Sequence, residues 1–252
     1  MDHALDGRVA VVTGATSGIG RAIALALAAG GASIWAVGRR EEALATIAAA
    51  GGRQGGRVFT HRADLCRDHD VQKLAARISA ECRTIDVLIH SAGIFSRGRV
   101  GEAPTADLDA QYRTNVRAAY ALTAAMLGLL PEGRGHIVFI NSSVGLRAAG
   151  ALGGYAMTKH ALKALADALR DELNPRGIRV TSLFVGRTAT PMQAAIHAIE
   201  GRTYRPERLL QPEDIAAVVV HALTSPSTAE ITDISIRPVQ GPRAEPRNVR
   251  AS

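Results

Sequence analysis

Seven short apolar runs set the limits on what this chain can fold into. They lie at residues 9–13, 33–37, 58–61, 87–90, 136–141, 179–184 and 231–236. Those at 9–13, 33–37, 87–90 and 136–141 are nearly continuous rather than alternating, as expected of strands buried on both faces. Between them lie longer segments with helical spacing, at 19–29, 41–50, 71–81, 105–130, 155–173 and 212–223. Repeated strand–helix alternation implies right-handed crossovers and a parallel sheet covered on both sides. The predicted fold is therefore α/β: a Rossmann-like doubly wound parallel sheet of about seven strands, with helices on both faces. No Pro/Gly/Ser-rich linker, charge block or internal repeat interrupts the 252 residues, so a single domain spanning 1–252 is expected.

Composition matters at three points. Aromatic residues make up only 4% of the chain, so alanine, leucine and valine must fill the core. The net charge of +7, from 30 Lys+Arg against 23 Asp+Glu, is neither clustered nor interleaved with aromatics. That pattern argues against a nucleic-acid binder and still favours an anionic small ligand such as a nucleotide. The longest uncharged run, between Arg21 and Arg39, is broken by Gly30-Gly31 and is shorter than the ~20 apolar residues a membrane span needs. Residues 1–7 have no apolar stretch of the kind a secretion signal carries. Cys66 and Cys82 lack metal-ligand spacing and read as reduced thiols. A soluble, cytoplasmic protein without a metal site is expected, with a flexible tail over residues 242–252.

The first strand runs directly into Thr13-Gly14-Ala15-Thr16-Ser17-Gly18-Ile19-Gly20, and a helix follows. Glycines here allow a tight turn, close approach of a pyrophosphate to the backbone, and close packing of helix on strand. Free N–H groups at the helix start then hold the phosphates. Gly14, Thr16, Ser17, Gly18, Ile19 and Gly20 are accordingly expected to bind a dinucleotide. The second strand leads into Gly38-Arg39-Arg40. Sheets that bind NAD place an acid near this point for the ribose 2′-OH. Here glycine stands in its place, and the guanidinium of Arg39 suits a 2′-phosphate. NADP(H) is therefore favoured over NAD(H), with Arg39 and Arg40 as its contacts; the alternative is a solvated Arg-Arg pair.

Tyr155 and Lys159 stand four apart in a helical segment and share one face. A lysine ammonium beside a phenol favours phenolate, which brings a group of pKa ~10 toward the working range of an acid/base. Ser142 precedes this pair, at the end of the fifth apolar run. With Thr13–Gly20, Asn115, Ser142, Tyr155 and Lys159 in this order, the chain resembles the short-chain dehydrogenase/reductase family over roughly residues 5–240.

That resemblance implies hydride transfer between nicotinamide and a carbonyl or secondary alcohol, with four catalytic residues. Tyr155 is the general acid/base, and Ser142 orients the reacting oxygen. Lys159 holds the nicotinamide ribose and lowers the Tyr155 pKa, while Asn115 holds a water that relays protons from Lys159. Ser143 is the rival to Ser142; the Ser-x-x-Gly match to Gly145 favours Ser142. Further cofactor contacts are implied at Asp64 and Leu65 by the adenine, at Ser91, Ala92 and Gly93, and at Gly186, Thr188 and Thr190 by the nicotinamide, together with Tyr155 and Lys159. Asp64 has an alternative reading as a helix N-terminal acid. Two departures stand out: His90-Ser91-Ala92-Gly93 where the family usually has Asn-Asn-Ala-Gly, and Val185-Gly186 where it usually has Pro-Gly. His90 is expected to be structural, and the loss of proline removes a φ restraint before Thr190.

The substrate is expected at the carboxyl ends of the strands. Ile94, Phe95, Val144, Leu146, Leu152, Val185 and Met192 are candidates to line its pocket. Residues 191–208 read either as a substrate lid or as a solvated amphipathic helix. Family members are usually dimers or tetramers, with segments 105–130 and 155–173 as the expected contact surface. The alternative function is a non-catalytic NADP(H)-binding redox sensor. The full Ser142/Tyr155/Lys159 set argues against it, because a sensor needs no proton donor.

Overall fold

In the computed structural model, which describes residues 4–53 and 56–239, the seven apolar runs form one sheet whose strands are all parallel. In chain order the strands are β1 (Val9–Thr13), β2 (Ser33–Gly38), β3 (Val58–Arg62), β4 (Val87–His90), β5 (His136–Ser142), β6 (Arg179–Val185) and β7 (Asp233–Ile236). The helices are α1 (Gly18–Ala29), α2 (Glu41–Arg53), α3 (Asp68–Glu81), α4 (Thr105–Tyr112), α5 (Ala118–Met126), α6 (Gly153–Leu173), α7 (Pro191–Ile199) and α8 (Pro212–Thr224). The sheet order is β3-β2-β1-β4-β5-β6-β7. The chain winds outward from β1 to β3, then returns to β4 beside β1 and winds the other way. This reversal splays the loops after β1 and β4 apart and opens a crevice at their carboxyl ends.

Two apolar layers hold the sheet. On one face Ile23 and Leu27 of α1, Leu44 and Ile47 of α2, and Ile215 and Val219 of α8 pack on Val12, Ile34 and Ile89. On the other, Leu74 and Ile78 of α3, Leu122 and Met126 of α5, and Leu162, Ala166 and Leu169 of α6 pack on Val11, Leu88, Ile137 and Phe139. Trp35 belongs to the second layer and stacks on Phe59 with ring centroids 5.1 Å apart.

The structure corrects several expected boundaries. The helix expected over 105–130 is not uniform. A π turn over Arg113–Arg117 separates α4 from α5 and carries Asn115 and Val116 inward, and a 3₁₀ turn over Leu127–Leu129 closes the segment. The last strand begins at Asp233, not at 231. Helix α7 fills part of the segment left open between lid and amphipathic helix. Its start is set by local chemistry: Thr190 caps it by accepting a hydrogen bond from the Gln193 amide at 3.1 Å, and Pro191 occupies the first turn, where no amide donor is missed. The tail expected over 242–252 lies outside the described residues.

Candidate active site

A cleft of about 780 Å³ opens at the carboxyl ends of β1, β4, β5 and β6. Its nucleotide end rests on close approaches that only glycine permits. Gly14 has φ +66°, and a Cβ on it would sit 2.8 Å from the Ala92 nitrogen. A Cβ on Gly20 would meet the Gly14 oxygen at 2.4 Å, so α1 packs directly on the turn that precedes it. Thr13 holds the two loops together: its hydroxyl donates to the Ile89 carbonyl at 3.1 Å and accepts from the Ser91 and Ala92 amides at 3.0 and 3.2 Å. Ser17 begins α1 without a side-chain cap, which leaves the first amides of the helix to a ligand.

At the end of β2, a Cβ on Gly38 would lie 2.5 Å from the Thr16 methyl. An acid at that position would have to displace Thr16. Arg39 and Arg40 are both exposed and line the cleft. Asp64 also lines it; its carboxylate accepts from the Cys66 amide at 3.1 Å and lies 3.6 Å from Arg67. The acids in the first turn of α3 are Asp68 and Asp70, so Asp64 is not the helix-start acid of its alternative reading.

The reacting end is built from β5 and α6. Asn141, at the end of β5, accepts from the Ser142 amide at 2.8 Å and donates to the Lys159 carbonyl at 3.1 Å. It thereby fixes the strand end that carries Ser142 to the helix that carries Tyr155 and Lys159. A Cβ on Gly145 would meet the Asn141 Oδ1 at 2.7 Å, which explains the glycine three residues after Ser142. Asn141 escaped the sequence reading; its signal was an amide ending an otherwise apolar strand. The Ser142 hydroxyl favours the ionised form of the Tyr155 phenol, and Phe95 packs edge-on to the Tyr155 ring at 5.0 Å. Ser143 also lines the cleft.

The electrostatics differ from expectation. Burial pushes the Tyr155 phenol up to about 12, and the Ser142 hydrogen bond offsets only part of that. Lys159 is turned elsewhere. Its ammonium donates to the Ile140 carbonyl at 3.1 Å and sits 5.7 Å from the centre of the Tyr155 ring. Burial pushes Lys159 itself down to about 8.

Of the residues expected at the site, Gly14, Thr16, Ser17, Gly18, Ile19, Gly20, Arg39, Arg40, Asp64, Leu65, Ser91, Ala92, Gly93, Ser142, Tyr155, Lys159, Gly186, Thr188 and Thr190 all line this cleft. Asn115 does not. Its side chain accepts from the Ile94 amide at 2.8 Å and donates to the Ile94 carbonyl at 3.0 Å and to Thr158 at 3.1 Å. Through these contacts it braces the loop after β4. Among the expected pocket residues, Leu146 points to solvent, whereas Ile94, Phe95, Val144, Leu152, Val185 and Met192 line the cleft. His90 is structural, as expected: it is buried, bonds Thr123 at 2.8 Å and stacks on Phe139 at 4.8 Å. Val185 keeps its place without proline because it pairs with Ser142 and Ile236, and the following Gly186 amide donates to the Ile236 carbonyl at 2.8 Å.

Residues 8–201 match the family model described as short chain dehydrogenase. An uncharacterised oxidoreductase of Staphylococcus epidermidis is 33% identical over 233 residues, which are 92% of this chain and 97% of that protein. A glycine betaine reductase of Emericella nidulans is 32% identical over 243 residues, 94% of this chain but only 19% of that much longer protein. An alcohol dehydrogenase from the archaeon Thermococcus sibiricus, solved in complex with 5-hydroxy-NADP, superposes with a TM-score of 0.84 at 29% identity, covering 93% of this chain and 98% of that one.

Proposed function

Because the chain belongs to the short-chain dehydrogenase family, we propose that it is an NADP(H)-dependent oxidoreductase that interconverts a small-molecule carbonyl compound and its secondary alcohol, with Tyr155 as general acid/base. One observation carries this reading. The glycine loop with Arg39 and the Ser142/Tyr155/Lys159 group line the same cleft, so a dinucleotide bound to the first end reaches the second.

The residues present fit such a cofactor. The Gly14–Gly20 turn and the uncapped start of α1 suit its diphosphate, Arg39 and Arg40 a 2′-phosphate, and Lys159 its ribose hydroxyls. When bound, the nicotinamide supplies or accepts the hydride. The protein supplies position and protons. Ser142 and Tyr155 offer two hydroxyls to one substrate oxygen, and fixing that oxygen contributes up to about 7–11 kcal/mol. At neutral pH the phenol carries its proton, since its pKa is about 12, so Tyr155 is charged with the proton that a reduced carbonyl oxygen must receive. Lys159, at about 8, retains its charge near neutrality.

Residues 191–208 serve as the substrate lid in this reading. Support comes from Met192, Gln193 and Ile196 of α7, which line the cleft. A homodimer or homotetramer is supported by Tyr112, Tyr120 and Met157, large side chains left exposed on α4, α5 and α6. A cytoplasmic setting is supported by the free thiols of Cys66 and Cys82; among the described residues no helix is long and apolar enough to cross a membrane.

The cofactor preference gives the direct test. The ratio of kcat/KM for NADPH over NADH is expected to exceed one. Arg39→Ala should lower the NADPH value about tenfold, the scale of one charge-assisted hydrogen bond at an exposed site, with little effect on NADH. A wild-type ratio below one would contradict the assignment of Arg39.

A further inference from the structure

Glu200, just beyond the end of α7, is a nearly buried carboxylate surrounded by three arginines from three parts of the chain. Its Oε1 accepts from Arg187 at 2.8 Å and from Arg97 at 3.0 Å, and Arg202 lies 3.7 Å from its Oε2. One negative charge therefore faces three positive ones, and two are left uncompensated within the cluster. Arg187 and Glu200 both line the cleft. The second guanidinium nitrogen of Arg187, Nη1, is shut off from water and has no hydrogen-bond partner. A buried donor left without an acceptor is costly, and a ligand acceptor that reaches it removes that cost.

The position of this spare donor is informative. Arg187 follows Gly186 and stands two residues beyond Val185, which pairs in register with Ser142. The cluster thus belongs to the reacting end of the cleft and not to the glycine-loop end, where Arg39 lies. Apolar side chains share this cleft: Phe95 packs on Tyr155, and Ile94, Leu152, Met192 and Ile196 also line it. We infer that Arg187 is the anchor of an anion site at the substrate end, and that the favoured substrate is an oxo acid: an apolar body carrying the reacting carbonyl, with a carboxylate held by the Arg187 fork. The inference rests on the carbonyl-reductase reading above and specifies its substrate class. The unpaired Glu200 Oε2 does not turn the site toward cations, because the charge excess of the cluster is positive. Glu200 is a positioning residue here; it accepts from Arg187 Nη2, and Arg187 Nη1 keeps no partner within the protein.

Steady-state kcat/KM for linear oxo acids and for their methyl esters, with wild-type protein, Arg187→Ala and Arg187→Lys, tests this. Wild type should prefer the acid by about tenfold to a hundredfold, the scale of a charge-assisted hydrogen bond to a carboxylate. Arg187→Ala should abolish the preference, and Arg187→Lys should restore part of it, because it returns the charge without the fork. Equal values for acid and ester in wild type would overturn the inference. So would a higher KM for NADPH in Arg187→Ala with an unchanged acid-to-ester ratio, which would place the guanidinium on the cofactor diphosphate. If the protein reduces neither compound, calorimetric binding of the same acids and esters to the NADP-loaded protein separates the two readings. Arg187-dependent preference for the acid would support the anion site while the reductase reading fails; absence of preference would overturn the site.

Discussion

Replacing Tyr155 by phenylalanine is expected to lower kcat by about 10²–10⁴ and to leave NADPH binding nearly unchanged. The substitution removes one hydroxyl and little else. The ring keeps its edge-on contact with Phe95, and the turn that receives the diphosphate, formed by Gly14, Gly18 and Gly20, is untouched. What disappears is the proton donor. Ser142 remains beside the substrate oxygen, but a serine hydroxyl is too weak an acid to replace a phenol. The predicted loss corresponds to about 3–5 kcal/mol of transition-state stabilisation. It should appear in kcat and kcat/KM together, as for an interaction made only in the transition state. Fluorescence titration of NADPH beside steady-state rates separates the two effects. Near-normal turnover in Tyr155→Phe would remove the phenol from the mechanism, and loss of NADPH binding would make it a structural residue of the cleft.

Acidification from pH 6.5 toward pH 5 is expected to destabilise the fold steeply, because two histidines are buried without charge. His90 lies between Thr123 and the Phe139 ring, and burial pushes its pKa down to about 3. His136, at the start of β5, bonds Thr181 at 2.7 Å; burial, then Arg179 and Arg8, push it down to about 3 as well. In the unfolded chain both imidazoles titrate near 6.5. Below that pH the unfolded chain takes up protons that the folded chain refuses. Stability is therefore complete above about 6.5 and is lost as pH falls toward 3, by about 1.4 kcal/mol per pH unit for each histidine. His61, lowered by burial and Arg77, acts in the same direction. By pH 5 the buried pair alone accounts for about 4 kcal/mol, a large part of the stability of an ordinary domain. Denaturant titrations at pH 7, 6 and 5 read this directly. His90→Asn should reduce the pH slope by about one proton; its midpoint also shifts from lost packing on Phe139, so the slope is the diagnostic quantity. A stability unchanged between pH 7 and 5 would contradict the account of both residues.

Much of this architecture was legible in the order of residues along the chain. Strand-length apolar runs and the glycine turn after β1 carry the sheet and its crevice, because burial on both faces and close backbone approach leave signatures within a few neighbouring residues. Other features depend on hydrogen bonds whose partners are distant in sequence. The π turn over Arg113–Arg117 does not alter apolar spacing enough to be read, and the reason Asn115 faces inward is the backbone of Ile94. The start of α7 is readable from Thr190-Pro191 as cap and first-turn proline, whereas composition alone leaves residues 191–208 open between a lid and a solvated helix. The Arg97–Glu200 contact joins residues 103 positions apart, so no local pattern announces it. The Tyr155/Lys159 spacing places both groups in one cleft, but it carries no sign of how far burial raises the phenol. Proximity on one helix face does not reveal that burial outweighs the neighbouring charge, or that the ammonium is turned to the Ile140 carbonyl.

The central claim is that a dinucleotide held by the glycine turn exchanges hydride with a carbonyl protonated by Tyr155. Absorbance of NADPH followed with wild-type protein at neutral pH, across a panel of aldehydes, ketones and oxo acids with the alcohol product quantified, tests it most directly. NADPH consumption is expected to be matched one-for-one by alcohol formed. Tight NADPH binding with no consumption by any carbonyl in the panel would contradict it and leave a nucleotide-sensing protein on the same fold.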